Sequence, residues 1–178
     1  DISSWITSSV VNMDSMFNQA FEFNQNINTN MDGSITYWDV SGVTNMYRML
    51  RYAVKFNQNI NNWDTGAVKN MNALFAQTHN FNQNINTNKD GSITYWDVSD
   101  VTNMNYMFAS SELFNQDLSK WEVGNVINMR GMFQFAEEFN KDISMWDVSG
   151  VTIMKEMFLS ASKFNQDLKL WNVCEVTD

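Results

Sequence analysis

The chain predicts an α/β repeat solenoid, with a parallel sheet of short strands on one face and short helices on the other. Three observations carry this. Seven tryptophans, Trp5, Trp38, Trp63, Trp96, Trp121, Trp146 and Trp171, follow one another at 33, 25, 33, 25, 25 and 25 residues. At such a period each unit stacks only on its neighbours. Around the tryptophans the apolar residues alternate as in a strand, and further on they recur as on one face of a helix. The array is read as one unit over residues 1–178, with repeats starting at 5, 38, 63, 96, 121 and 146 and a partial one at 171. Insertions of eight residues fall near 29–36 and 87–94.

The first element of each unit is the strand. Ile143-x-x-Trp146-x-Val148 has the apolar spacing of a leucine-rich repeat. In an extended segment Trp146 and Val148 face one side and Asp147 the other. Only about three residues per repeat are strand-like, enough for one rung of a parallel sheet. The second element is the helix. Met154, Met157, Phe158 and Ala161 stand at i, i+3, i+4 and i+7. Thr152 is a suitable N-cap, and Thr44 and Thr102 occupy the same place. About two turns of helix cannot stand alone, so this face is expected to pack on the strand layer. The unit closes on Phe-Asn, at Phe23, Phe56, Phe81, Phe114, Phe139 and Phe164, each followed by Asn. The Phe row reads as a stacked spine and the Asn row as a ladder serving the backbone of the turns.

The net charge of −9 and pI near 4.4 argue against nucleic acid and anionic membrane as partners, since both call for basic patches. No apolar run reaches membrane-spanning length, so no membrane insertion by this segment is expected. One cysteine, Cys174, forms no internal disulfide, and one histidine, His79, has no second His or Cys to share a metal. With no Gly-rich phosphate loop and no nucleophile–base pair in a distinctive context, the chain does not read as an enzyme.

Repeats such as WDVSGVTNM…ML…A…FNQ, Trp38 to Gln58, resemble a bacterial surface-protein repeat family of unknown function. That family is best known from mycoplasma lipoproteins and Gram-positive cell-surface proteins and is similar to BspA-like leucine-rich repeats. The resemblance covers essentially the whole chain. It departs from the pattern at Ile6, at Ile153 and at the two insertions. It implies an extracellular, cell-surface protein with a role in adhesion or host contact, and no enzyme.

The insertions carry one motif twice, Asn-Thr-Asn-x-Asp-Gly-Ser-Ile-Thr-Tyr-Trp-Asp, at 28–39 and 86–97. One reading is a calcium loop. Its ligands would include Asn28, Asn30, Asp32 and Asp39 in the first copy and Asn86, Asn88, Asp90 and Asp97 in the second. Two carboxylates per loop would hold calcium weakly, and no other cofactor is indicated. The other reading is a β-hairpin turning at Asp-Gly, with Ser-Ile-Thr-Tyr-Trp as its second strand.

Three rows are expected to face outward from the sheet. The central, acidic row contains Asp39, Asp64, Asp97, Glu122 and Asp147; a variable row contains Tyr37, Asn62, Tyr95, Lys120 and Met145; a third is small. The carboxylates serve either as Asx-type caps on the following turn or as part of a strip for a cation or a sugar, with Tyr37 and Tyr95 beside them. The leading functional reading is an extracellular recognition or adhesion module for a protein or glycan on another cell. The alternative is a structural spacer or filament-forming element, with neighbouring copies head to tail. Both ends of the chain fall inside a repeat, so Ile2, Trp5 and Val10 at one end and Trp171, Val173 and Val176 at the other are expected to need a cover.

Overall fold

A computed structural model gives the chain as a stack of repeats. It describes residues 1–33, 35–90 and 93–178, with the backbone alone at Met31, Asp32 and at residues 88–90 and 93–95. Among the described residues there is no helix and no sheet of more than two strands, so the helix-and-sheet solenoid of leucine-rich-repeat type is corrected. The regular strands are two antiparallel hairpins in the insertions: β1 (Asn30–Asp32) with β2 (Ile35–Tyr37), and β3 (Asn88–Asp90) with β4 (Ile93–Tyr95).

The segment expected to be helical is a run of turns. Met49 N–H donates to the Met46 carbonyl, Arg51 to Arg48 and Ala53 to Leu50, each three residues back. The alternate N–H groups leave the repeat altogether. Met46 donates to Asn70, Arg48 to Asn72, Leu50 to Leu74 and Tyr52 to Ala76, all at 2.9–3.0 Å. A helix would spend every one of these donors on the carbonyl four residues back. The spacing of the repeats decides between the two. Phe75, Phe108, Phe133 and Phe158 stack with ring centroids 5.6–5.8 Å apart. Helices pack at about 8–10 Å between axes and cannot lie side by side at that separation. The apolar i, i+3, i+4, i+7 pattern survives because turns also bring every third residue to one side: Met46, Met49, Leu50 and Ala53 are all buried.

Each run holds two left-handed residues four apart, such as Arg48 and Tyr52 (φ 54° and 60°) or Tyr106 and Ser110 (both 55°). A non-glycine residue there costs on the order of 1 kcal/mol. The repeat-to-repeat bonds on both sides hold it in place. Gly131 (φ 55°) is the glycine in this row, and a Cβ on it would overlap the ring of Tyr106, which lies across it.

The expected strand rung at Trp-Asp-Val is also absent. Trp63, Trp121, Trp146 and Trp171 each turn their N–H back to the residue three before. Parallel pairing occurs further on, as single bridges linking Asn12, Asn45, Asn70, Asn103, Asn128 and Ile153 in succession. One residue per repeat is too little to make a sheet. The rows expected to form the core do form it. Trp38, Trp63, Trp96, Trp121 and Trp146 are buried, and from Trp38 onward every indole N–H donates to a carbonyl of the preceding repeat at 2.7–3.1 Å. Phe56, Phe81, Phe114, Phe139 and Phe164 stack at 5.9–6.1 Å.

The Asn row is a ladder on the surface. The side-chain oxygen of Asn24 accepts the Asn57 N–H, and so on through Asn82, Asn115, Asn140 and Asn165, at 2.9–3.1 Å. At the first repeat Trp5, Ile6 and Val11 are exposed, and at the last Leu170 and Val173 are exposed.

Candidate functional site

The acidic row does not lie on a sheet face, because the strands that would carry it are absent. Four of its carboxylates cap turns instead. Asp39, Asp97 and Asp147 accept the N–H of the serine two residues on, at 2.9–3.1 Å, and Asp64 accepts that of Gly66 at 3.2 Å. Asp39 and Asp147 also take the Ser41 and Ser149 hydroxyls. The Ser149 hydroxyl and then its N–H hold the Asp147 carboxyl below its ordinary value.

The insertions fold as the hairpin reading expects, with Asn30 paired to Tyr37 and Asn88 to Tyr95. The side-chain oxygens of the candidate calcium ligands Asn28 and Asn86 are already engaged. Asn28 accepts N–H groups of Thr29 and Asn62, and Asn86 those of Thr87 and Lys120, at 3.1–3.2 Å. Asn30 is exposed on β1, and the side chains of Asp32, Asn88, Asp90 and Tyr95 lie outside the described residues. Among the described residues no three His, Cys, Asp or Glu side chains gather as a metal site. Asn62 is exposed and donates to the Thr29 carbonyl, and Tyr37 is half-buried at the end of β2.

The second half of the chain brings four candidates together. Lys120, Glu122, Met145 and Asp147 line a groove of about 590 Å³ between consecutive repeats, floored by Trp121 and Val123. Small residues, Ser99 and Gly124, open its sides. Met145 is 77 % exposed. Among the described residues neither Lys120 nor Glu122 has an ion-pair partner. Lys120 also borders a smaller hollow of about 210 Å³ against Asn86 and Thr87, at the foot of the second hairpin.

Over residues 1–29 and 86–178 the chain matches the family model described as Mycoplasma protein of unknown function, DUF285. The chain belongs to that family. No curated protein and no solved structure matches it. In this DUF285 chain no helix is long and apolar enough to cross a membrane, among the described residues.

A third depression, of about 310 Å³, was not among the sequence candidates. It lies on the run of turns, with Arg48 and Arg51 on one side, Tyr106 on the other and Ala73, Ala76 and Ala109 at its floor. The signal was present in the repeat alignment. The place of Arg48 is held by Ser15, Ala73, Tyr106, Gly131 and Glu156 in the other repeats, the kind of variation that scaffold demands do not impose. Assigning this segment to a helix drew attention to its apolar side and away from the outward one.

Proposed function

We propose that this chain is an extracellular recognition module of a cell surface, which takes a protein or glycan ligand and performs no chemistry on it. The groove at Lys120, Glu122 and Met145 supports this reading. Opposite charges without ion partners among the described residues stand there beside an exposed thioether, over a floor made by buried core residues. Such a mixture of an apolar anchor and unsatisfied charge is what an interface desolvates and pairs. A spacer gains nothing from it. The likeness of the repeats to those of mycoplasma lipoproteins and Gram-positive surface proteins, and through them to BspA-like surface repeats, supports the location.

The test is an array of cell-surface glycans and proteins probed with the folded chain, followed by Lys120→Glu and Met145→Ala. A ligand that is retained, and that Lys120→Glu weakens about tenfold or more, is the expected result. Retention of nothing across the array by folded protein would favour the spacer. Self-association in sedimentation over a concentration series would favour the filament.

A further inference from the structure

The three arginines of this acidic chain, Arg48, Arg51 and Arg130, all fall on the runs of turns. Each lies over a tyrosine ring: Arg48 over Tyr47 at 4.5 Å, Arg51 over Tyr52 at 4.6 Å and Arg130 over Tyr106 at 5.8 Å. Arg130 has a carboxylate neighbour, Glu156, at 3.6 Å. Arg48 and Arg51 have none within 4 Å among the described residues. In a molecule of net charge −9, two guanidiniums left without a carboxylate and steadied against rings form a local exception.

Both border the 310 Å³ notch. The notch exists because the third repeat carries Ala73 and Ala76 where the second carries Arg48 and Arg51, and the fourth adds Ala109. These alanines form a small apolar cluster of their own, against which Tyr106 packs. Phe135, at the rim, is exposed. Planar amides complete the wall: Asn72, Gln77 and Gln134.

The backbone N–H groups under the notch are spent within the stack. Ala73, Phe75 and Gln77 donate to Asn105, Met107 and Ala109 of the next repeat, and Tyr106 donates to Arg130 of the one after. An extended peptide pairs with both the donors and the acceptors of its host, and these donors are already taken. A sugar needs none. Its hydroxyls bond to side-chain amides, its apolar face rests on an aromatic ring or an alanine floor, and an acidic group accepts two parallel bonds from a guanidinium fork. The volume stands at the lower end of the range of small-molecule sites, about 300–1,000 Å³, which suits one or two sugar rings.

We propose that this notch binds an acidic saccharide, with Arg48 and Arg51 holding its carboxylate or sulfate and Tyr106 flanking its ring. The site shares no residue with the Lys120 groove, so it stands or falls independently of the reading of that groove.

The experiment is calorimetric titration of the folded chain with four probes: an unsulfated uronate-containing disaccharide, its sulfated form, lactose, and hexaglutamate. One or both acidic disaccharides bind, lactose and hexaglutamate do not, and added salt weakens the interaction. Which acidic form binds tells carboxylate from sulfate as the recognised group. The double variant Arg48→Gln/Arg51→Gln reduces affinity about tenfold or more, as expected for lost charge-assisted bonds. Its thermal midpoint shows whether it is folded, and Ala76→Gln, which fills the floor and keeps both charges, provides a second route to the same loss. Binding of neither disaccharide overturns the proposal, as does binding that both variants retain. Hexaglutamate binding as tightly as the disaccharides replaces the saccharide with an acidic peptide.

Discussion

Repeats that follow an insertion and repeats that do not build the same core from different backbones. At Trp63, Trp121 and Trp146, which follow plain repeats, the tryptophan N–H closes a turn onto the residue three before. Trp38 and Trp96, each just after an insertion, are left-handed (φ 48° and 50°), and their N–H groups reach back to the carbonyls of Trp5 and Trp63. The indoles nevertheless end in the same place, buried and bonded to the preceding repeat. One further residue records the difference. Thr7 and Thr65, buried in the repeats that carry the insertions, donate their hydroxyls to the carbonyls of Asp39 and Asp97 at 2.7–2.8 Å. The same position is Val40, Val98, Val123 and Val148 elsewhere. The altered path after an insertion presents a part-buried carbonyl, and a hydroxyl from the preceding repeat satisfies it. Extra chain is absorbed at the edge, at the cost of one polar substitution in the core.

The comparison can be broken first at what the two kinds of repeat share. Phe81, in a repeat that carries an insertion, and Phe139, in a plain one, are both fully buried in the same column. Each replaced by Ala is expected to cost about 3–5 kcal/mol in chemical denaturation. A much smaller cost at Phe81 would show that the repeats with insertions are loosely packed. The next test is Thr65→Val. It removes the hydroxyl with little change of shape and leaves the part-buried Asp97 carbonyl without that partner, for about 1–3 kcal/mol. Removal of residues 87–94 restores the 25-residue spacing, and is expected to change stability by less than about 1 kcal/mol because edge loops add little closure entropy. On that background Thr65→Val should become close to neutral. If it costs the same with and without the hairpin, the link between the threonine and the insertion is wrong.

The smallest effect concerns acid. Asp142 is held below its ordinary value of 3.8 mainly by the Ser144 N–H, and Asp147 and Asp167 mainly by bonds from Ser149 and Lys169. Carboxyls depressed in the fold stabilise it above their unfolded pKa, and that contribution disappears as pH falls through the lower folded value. Thermal midpoints should therefore be flat from neutral pH down to about 4 and decline below it. Asp142→Asn should soften that decline. A decline already complete at pH 5 would point to other groups.

Much of the architecture was legible in the residues. The tryptophan spacing established the register at which repeats stack. The Phe, Met and Trp rows identified the core, because a side chain repeated at every turn of a stack must meet its own copies. The Asp and Asn positions indicated turns, and Asp-Gly indicated the hairpins. The reading went wrong where one pattern serves two backbones. Apolar residues at i, i+3, i+4 and i+7 mark a helix, but a chain of turns closing every three residues buries the same positions. The candidate site fared similarly. Lys120, Glu122, Met145 and Asp147 were named from their row and do meet in one groove, whereas Tyr37, Asn62 and Asp64 do not join them. The notch of Arg48 and Ala73 was missed.

By itself, then, the sequence determined the period, the buried rows, the turn-capping carboxylates and the place of the insertions, since each is a matter of local chemistry repeated. Only the tertiary structure decided where the backbone donors go. Whether Met46 N–H bonds four residues back or into the next repeat depends on how closely the repeats approach. That distance is set by rings stacked across 25 or 33 residues of chain, beyond the reach of any local pattern. The same closeness places Arg48, Ala73 and Tyr106 side by side, so the notch is a product of stacking that no single repeat contains.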